Sequence, residues 1–114
     1  MGANITSGRR FYQEQISLLQ AGKSDQVIDA HYWPDAALIG FDGIVRGTNE
    51  LKQHFRQYLK ILGAFEVQST DKFIESADSI FLEATVHTGK GETRVYDAFV
   101  LRDGKISHHF TGTK

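Results

Sequence analysis

The sequence predicts an α+β domain: a strongly curved, cone-shaped antiparallel sheet with about three helices packed on its concave face. Three observations carry this. Apolar residues recur at helical spacing in three segments of the first half. From residue 64 onward the pattern becomes strand-like. The turns between those later segments are short and glycine-bearing, so successive strands lie side by side and antiparallel. A curved sheet with helices across its mouth encloses an apolar interior suited to a small molecule.

The first helix covers about residues 6–21, with Phe11, Tyr12, Gln15, Ile16, Leu18 and Leu19 on its inner stripe and Gly22 as the C-cap. Ser24 is the expected N-cap of a second helix over 25–32. Asp25 lies in its first turn, and Val27, Ile28, His31 and Tyr32 form its inner stripe. Pro34 stops it, because the residue before a proline avoids the α region. Residues 36–41 read as a short strand, Asp42-Gly43 as a hairpin-type turn and residues 44–46 as the return. Thr48 caps a third helix that runs to about Leu62. Its buried stripe is Leu51, His54, Phe55, Tyr58, Leu59 and Leu62, and Gly63 closes it. Four strands follow: 64–76, long and bent, then 79–88, 93–102 and 105–113. Gly89-Lys90-Gly91 and Asp103-Gly104 make turns between them.

At 114 residues the chain is expected to form one domain, 1–114, with a real core but no room for two. Its net charge of −1, without a basic block, points away from nucleic acid and anionic membranes. The absence of Cys removes disulfides, thiolate metal sites and a Cys nucleophile. No apolar run has the length of a signal sequence or a membrane span, so the expected location is cytoplasmic. His31, His54 and His87 are scattered, and the adjacent His108 and His109 point to opposite faces of a strand. Neither a metal nor another cofactor is expected. Nucleophile-elbow motifs are absent, and Gly89-Lys90-Gly91 lacks the rest of a phosphate loop.

Asp97 is the residue that points to chemistry. Alternation in the strand 93–102 places it on one face with Val95, Phe99 and Leu101. A carboxylate among apolar neighbours is costly unless paired, which makes it a candidate proton carrier. The final strand brings His108 and His109 alongside. A three-residue loop would set Asp97 opposite His109; a two-residue turn would set it opposite Phe110, with His108 diagonal. A carboxylate can fix a histidine tautomer and raise its basicity. Tyr12, Tyr32, Trp33, Phe41, Phe55, Tyr58 and Phe99 are the candidate ligand-contacting aromatics. His31 and His54, on inner stripes, read as hydrogen-bonded core histidines.

Three segments carry a family resemblance: 32–38 (Tyr-Trp-Pro-Asp-Ala-Ala-Leu), 43–51 (Gly-Ile-Val-Arg-Gly-Thr-Asn-Glu-Leu) and 97–106, ending Arg-Asp-Gly-Lys-Ile. In order and spacing the chain resembles the nuclear-transport-factor-two-like superfamily, whose fold is also termed cystatin-like, and within it the SnoaL-like and ketosteroid-isomerase-like branch. The resemblance implies a pocket enzyme without a cofactor, or a binding module. Asp97 falls at the family's second acid and His109 at a histidine found in SnoaL-like relatives, so these two are the candidate catalytic pair. The resemblance favours the register that pairs them. Tyr32 matches a pocket tyrosine. Gly40 stands where isomerases carry their general-base Asp, Gln15 near the oxyanion-hole tyrosine, and Phe55 at a supporting tyrosine. The implied activities are isomerisation, cyclisation or dehydration of a hydrophobic carbonyl compound. The implied alternatives are a non-catalytic binder of a small apolar or aromatic ligand and an interaction protein. The outer sheet face, carrying Tyr96, Ala98 and Val100, would hold a homodimer together.

Overall fold

The computed structural model of the protein describes residues 5–114. Three helices come first and among the strands: α1 (Ser7–Gln20), α2 (Ser24–His31) and α3 (Thr48–Leu62). The strands are β1 (Tyr32–Gly40), β2 (Gly43–Arg46), β3 (Phe65–Glu75), β4 (Ser79–Thr88), β5 (Gly91–Arg102) and β6 (Lys105–Thr113). They form one open sheet in the order β2-β1-β6-β5-β4-β3. The meander β3 to β6 is antiparallel as expected, but β1 joins β6 in parallel, so the sheet is mixed. That pairing links residues some seventy positions apart, beyond the reach of any turn signal.

Thr6 caps α1, its side chain accepting from the Arg9 N–H at 3.2 Å. No acid occupies the first turn of α1; the Glu75 carboxylate reaches across from β3 instead, accepting from Thr6 and, at 3.1 Å, from the Gly8 N–H. The other two cap assignments shift by one residue. Lys23 and Gly47 occupy the N-cap positions, neither with a side-chain cap, and Ser24 and Thr48 are already helical.

Pro34 lies inside β1 rather than between elements. It falls in the stretch between Tyr32 and Ala37 where the β1–β6 ladder is irregular, so its missing N–H costs no ladder bond. β3 bends at two irregularities, 67–69 and 70–72. The core lies between the concave sheet face and the helices, around Val27, Ile28, Leu51, Ile80, Leu82 and Ile106.

Candidate functional site

Alternation along β5 and β6 builds the site. Phe99 faces His109, and Asp97 faces Thr111, all on the concave side. Neither expected register is the one adopted. Asp103-Gly104 forms a two-residue turn with both residues at positive φ (50° and 83°), as a type I′ turn requires. Ser107 then bulges out between the Leu101–Ile106 and Val100–His108 pairs. Turn and bulge together shift the pairing by two residues from the Asp97–His109 register, an even number that keeps the same side chains inward. His109 is therefore buried beside Asp97 on the diagonal, and His108 is exposed on the other face.

His109 Nε2 lies 2.7 Å from Asp97 Oδ1. Behind it, His109 Nδ1 is 2.8 Å from the Tyr32 hydroxyl. Gln15 Nε2 donates to that hydroxyl at 3.3 Å, and Gln15 Oε1 is 3.1 Å from His31 Nδ1. His31 Nε2 lies 3.5 Å from the Glu14 carboxylate at the surface. Gln15, His31, Tyr32 and His109 are each at most 5% exposed, whereas the Asp97 side chain is 21% exposed. Burial pushes the Tyr32 hydroxyl far above its usual range, and it lowers His31 despite the nearby Glu14.

In front of Asp97 is a cavity of about 710 Å³. Asp97 and His109 line it, as do Tyr12, Phe55, Tyr58 and Phe99 among the aromatics named from sequence. Phe41 also lines it, but as a fully exposed side chain on the turn at its mouth. The Tyr12 hydroxyl bonds Thr70 at 2.9 Å, a residue aimed inward by the β3 bend. Burial, reinforced by the Asp97 charge, raises both the Tyr12 and Tyr58 hydroxyls, so both stay protonated donors.

Two of the ligand-contacting assignments need correcting. Tyr32 does not line the cavity: it stands behind His109, because the chain leaves α2 directly into β1 at that residue. Trp33, next along the strand, faces the other way; its indole donates to the Arg102 carbonyl and lies against the Arg102 and Lys105 cations. His54 is also displaced from expectation, exposed at the cavity mouth and stacked on Tyr58.

Sequence reasoning did not foresee the linkage through Gln15 and His31. The available signal was a glutamine on the apolar stripe of α1, since a buried amide needs partners. Asp42 was also unassigned; its Oδ1 occupies the space next to Gly40, 2.9 Å from where a Cβ would stand, and it lines the cavity. Among the described residues, no group of three or more His, Asp or Glu is placed to hold a metal ion, and no helix is long and apolar enough to cross a membrane.

Fold and site define an α+β protein of the cone type, with helices closing a curved sheet over an apolar cavity. The chain belongs to the SnoaL-like domain family, whose profile matches residues 9–109, and its fold is that of NTF2-like proteins. Solved structures agree on the fold. It is similar to an NTF2-like protein from Anabaena variabilis (16% identity, TM-score 0.81, covering 100% of this chain and 95% of that one). It is also similar to TerC co-crystallised with polyporic acid (14%, 0.79, 96% and 92%). A de novo designed protein with a curved β-sheet matches as well (16%, 0.80, 98% and 88%). No curated protein sequence matches the chain.

Proposed function

We propose that the protein binds a small, uncharged, hydrophobic carbonyl compound in the cavity and moves a proton on it without a cofactor. The observation that carries this reading is the Asp97–His109 pair, 2.7 Å apart in the wall of an apolar cavity. In the reaction, an Asp97 oxygen takes the proton from the carbon next to the carbonyl. The C–H electron pair becomes the enolate π bond, and the proton returns to carbon or passes to solvent. Tyr12 and Tyr58, protonated donors on the cavity wall, are the groups suited to the enolate oxygen. Among the described residues no Lys or Arg lines the cavity, which favours a neutral ligand over a carboxylate. TerC, similar in fold, was crystallised with a small organic molecule, which supports a ligand in this cavity.

The test is a titration of ¹⁵N-labelled protein with 2-tetralone, a bicyclic ketone with acidic α C–H bonds, in D₂O. Shifts at Asp97, Phe99 and Tyr58 with accelerated deuterium uptake by the ketone support the reading. Absence of both contradicts it. Binding without exchange selects a second reading, a non-catalytic binding module. That reading is favoured by Gly40, which supplies no side chain to the cavity where isomerase relatives carry a base.

We also propose a homodimer through the outer sheet face. Cross-strand pairs place Ile74, Phe81, Ala98, Phe110, Ile39 and Ile44 in one row over that face. Ile74, Phe81 and Phe110 are 66%, 51% and 40% exposed.

A further inference from the structure

The groups behind Asp97 are joined by hydrogen bonds in which one proton decides the direction of all the others. Tyr32 has a single O–H. It touches two partners, His109 Nδ1 at 2.8 Å and Gln15 Nε2 at 3.3 Å. The Gln15 amide nitrogen can only donate, so the Tyr32 oxygen accepts there and its O–H points to His109. His109 Nδ1 is then an acceptor, and its remaining proton is on Nε2, directed at Asp97 Oδ1 at 2.7 Å. His31 completes the alignment, with Nδ1–H directed at Gln15 Oε1 at 3.1 Å. Every donor points toward Asp97.

The opposite direction is also a complete pattern, but it differs by a proton. If Tyr32 donated to Gln15, its oxygen would accept from His109 Nδ1–H. His109 Nε2 would then need a proton from Asp97, or its own second proton. The relay thus couples the orientation of one buried amide to the protonation of the Asp97–His109 pair. Among the described residues the Asp97 carboxylate uses Oδ1 for its hydrogen bond, which leaves Oδ2 without a protein partner on a residue that lines the cavity.

We infer that Gln15 and Tyr32 are positioning residues that fix His109 as the Nε2–H tautomer and thereby make Asp97 Oδ2 the atom that accepts the substrate proton. His109 holds the carboxylate through its Nε2–H and does not take the substrate proton itself. This assignment rests on the proton-transfer reading above.

Histidine side-chain ¹H–¹⁵N spectroscopy of the ligand-free protein near neutral pH tests it directly. The expected result is a proton on Nε2 of His109 and none on Nδ1. A proton on Nδ1 overturns the inference, whatever the protein does to a ketone. Gln15→Glu supplies a carboxylate that donates nothing, so Tyr32 must donate to it and the relay must reverse. A proton should then appear on His109 Nδ1, with 2-tetralone exchange falling on the order of 10²-fold and ketone binding retained. An unchanged His109 spectrum in that variant also overturns the inference. If Gln15→Glu does not fold, the wild-type spectrum alone decides. An Nε2–H spectrum together with no ketone exchange would leave the relay standing and remove the enzymatic reading, so the two failures are distinguishable.

Discussion

The concave and convex faces of the sheet depart from the ordinary apolar-in, polar-out pattern in opposite directions. Inside, Asp97 and His109 interrupt an apolar wall made by Leu82, Ala84 and Phe99 and are tied to buried Tyr32, Gln15 and His31. Outside, Ile74, Phe81 and Phe110 are set in solvent. Neighbours on one strand take part in both, since Ile80 is buried and Phe81 is exposed. The lesson is that the two exceptions fall where the proposed chemistry and the proposed dimer would each act. In general, departures from the local pattern concentrate at functional sites, and large exposed apolar patches at surfaces that partners cover.

Substitutions can sharpen or break that contrast. Ile80→Ala should cost about 2–5 kcal/mol in urea unfolding, because a fully buried side chain leaves a cavity behind. Tyr32→Phe should cost about 1–3 kcal/mol, since it strips His109 Nδ1 and the Gln15 amide of their shared buried partner. A neutral result would mean the inner polar groups are not a connected network. His31 adds a pH dependence. Burial holds its folded-state value below 6.5, so the unfolded chain binds more protons in that window. Stability from this group is complete above about pH 6.5 and is lost as pH falls toward the lowered folded value. His31→Gln should flatten that portion of the curve, and an unchanged curve would contradict the assignment. Smallest on stability, within about 0.5 kcal/mol, should be Phe81→Ser, one residue from Ile80. Its effect should instead show in sedimentation, as a shift from dimer to monomer mass. A dimer that survives Phe81→Ser combined with Phe110→Ser would break the outer half of the comparison.

The local elements were largely legible in the sequence, because helical and strand periodicity and the Asp-Gly and Gly-Lys-Gly turns are short-range signals. The Asp97–His109 proximity was legible too, though through a different register. A two-residue turn at Asp103-Gly104 was one of the two hairpins the sequence allowed, but the Ser107 bulge carries no sequence mark. Its effect was harmless only because the net shift is even. What the sequence did not show depends on non-local contact. The parallel β1–β6 pairing sets Tyr32 behind His109 and turns Trp33 outward, against the reading of both as ligand contacts. The tie from Gln15 to His31 needs α1 and α2 to meet at one place, which periodicity on either helix alone does not specify.

The central claim is that Asp97 moves a proton on an apolar molecule held in the cavity. The measurement that tests it most directly is deuterium uptake by 2-tetralone in wild type and Asp97→Asn, with binding of the ketone followed in the same samples. The account predicts exchange slower by about 10²–10⁴-fold in Asp97→Asn, with the dissociation constant changed by less than about threefold. Exchange that continues undiminished in Asp97→Asn would contradict it.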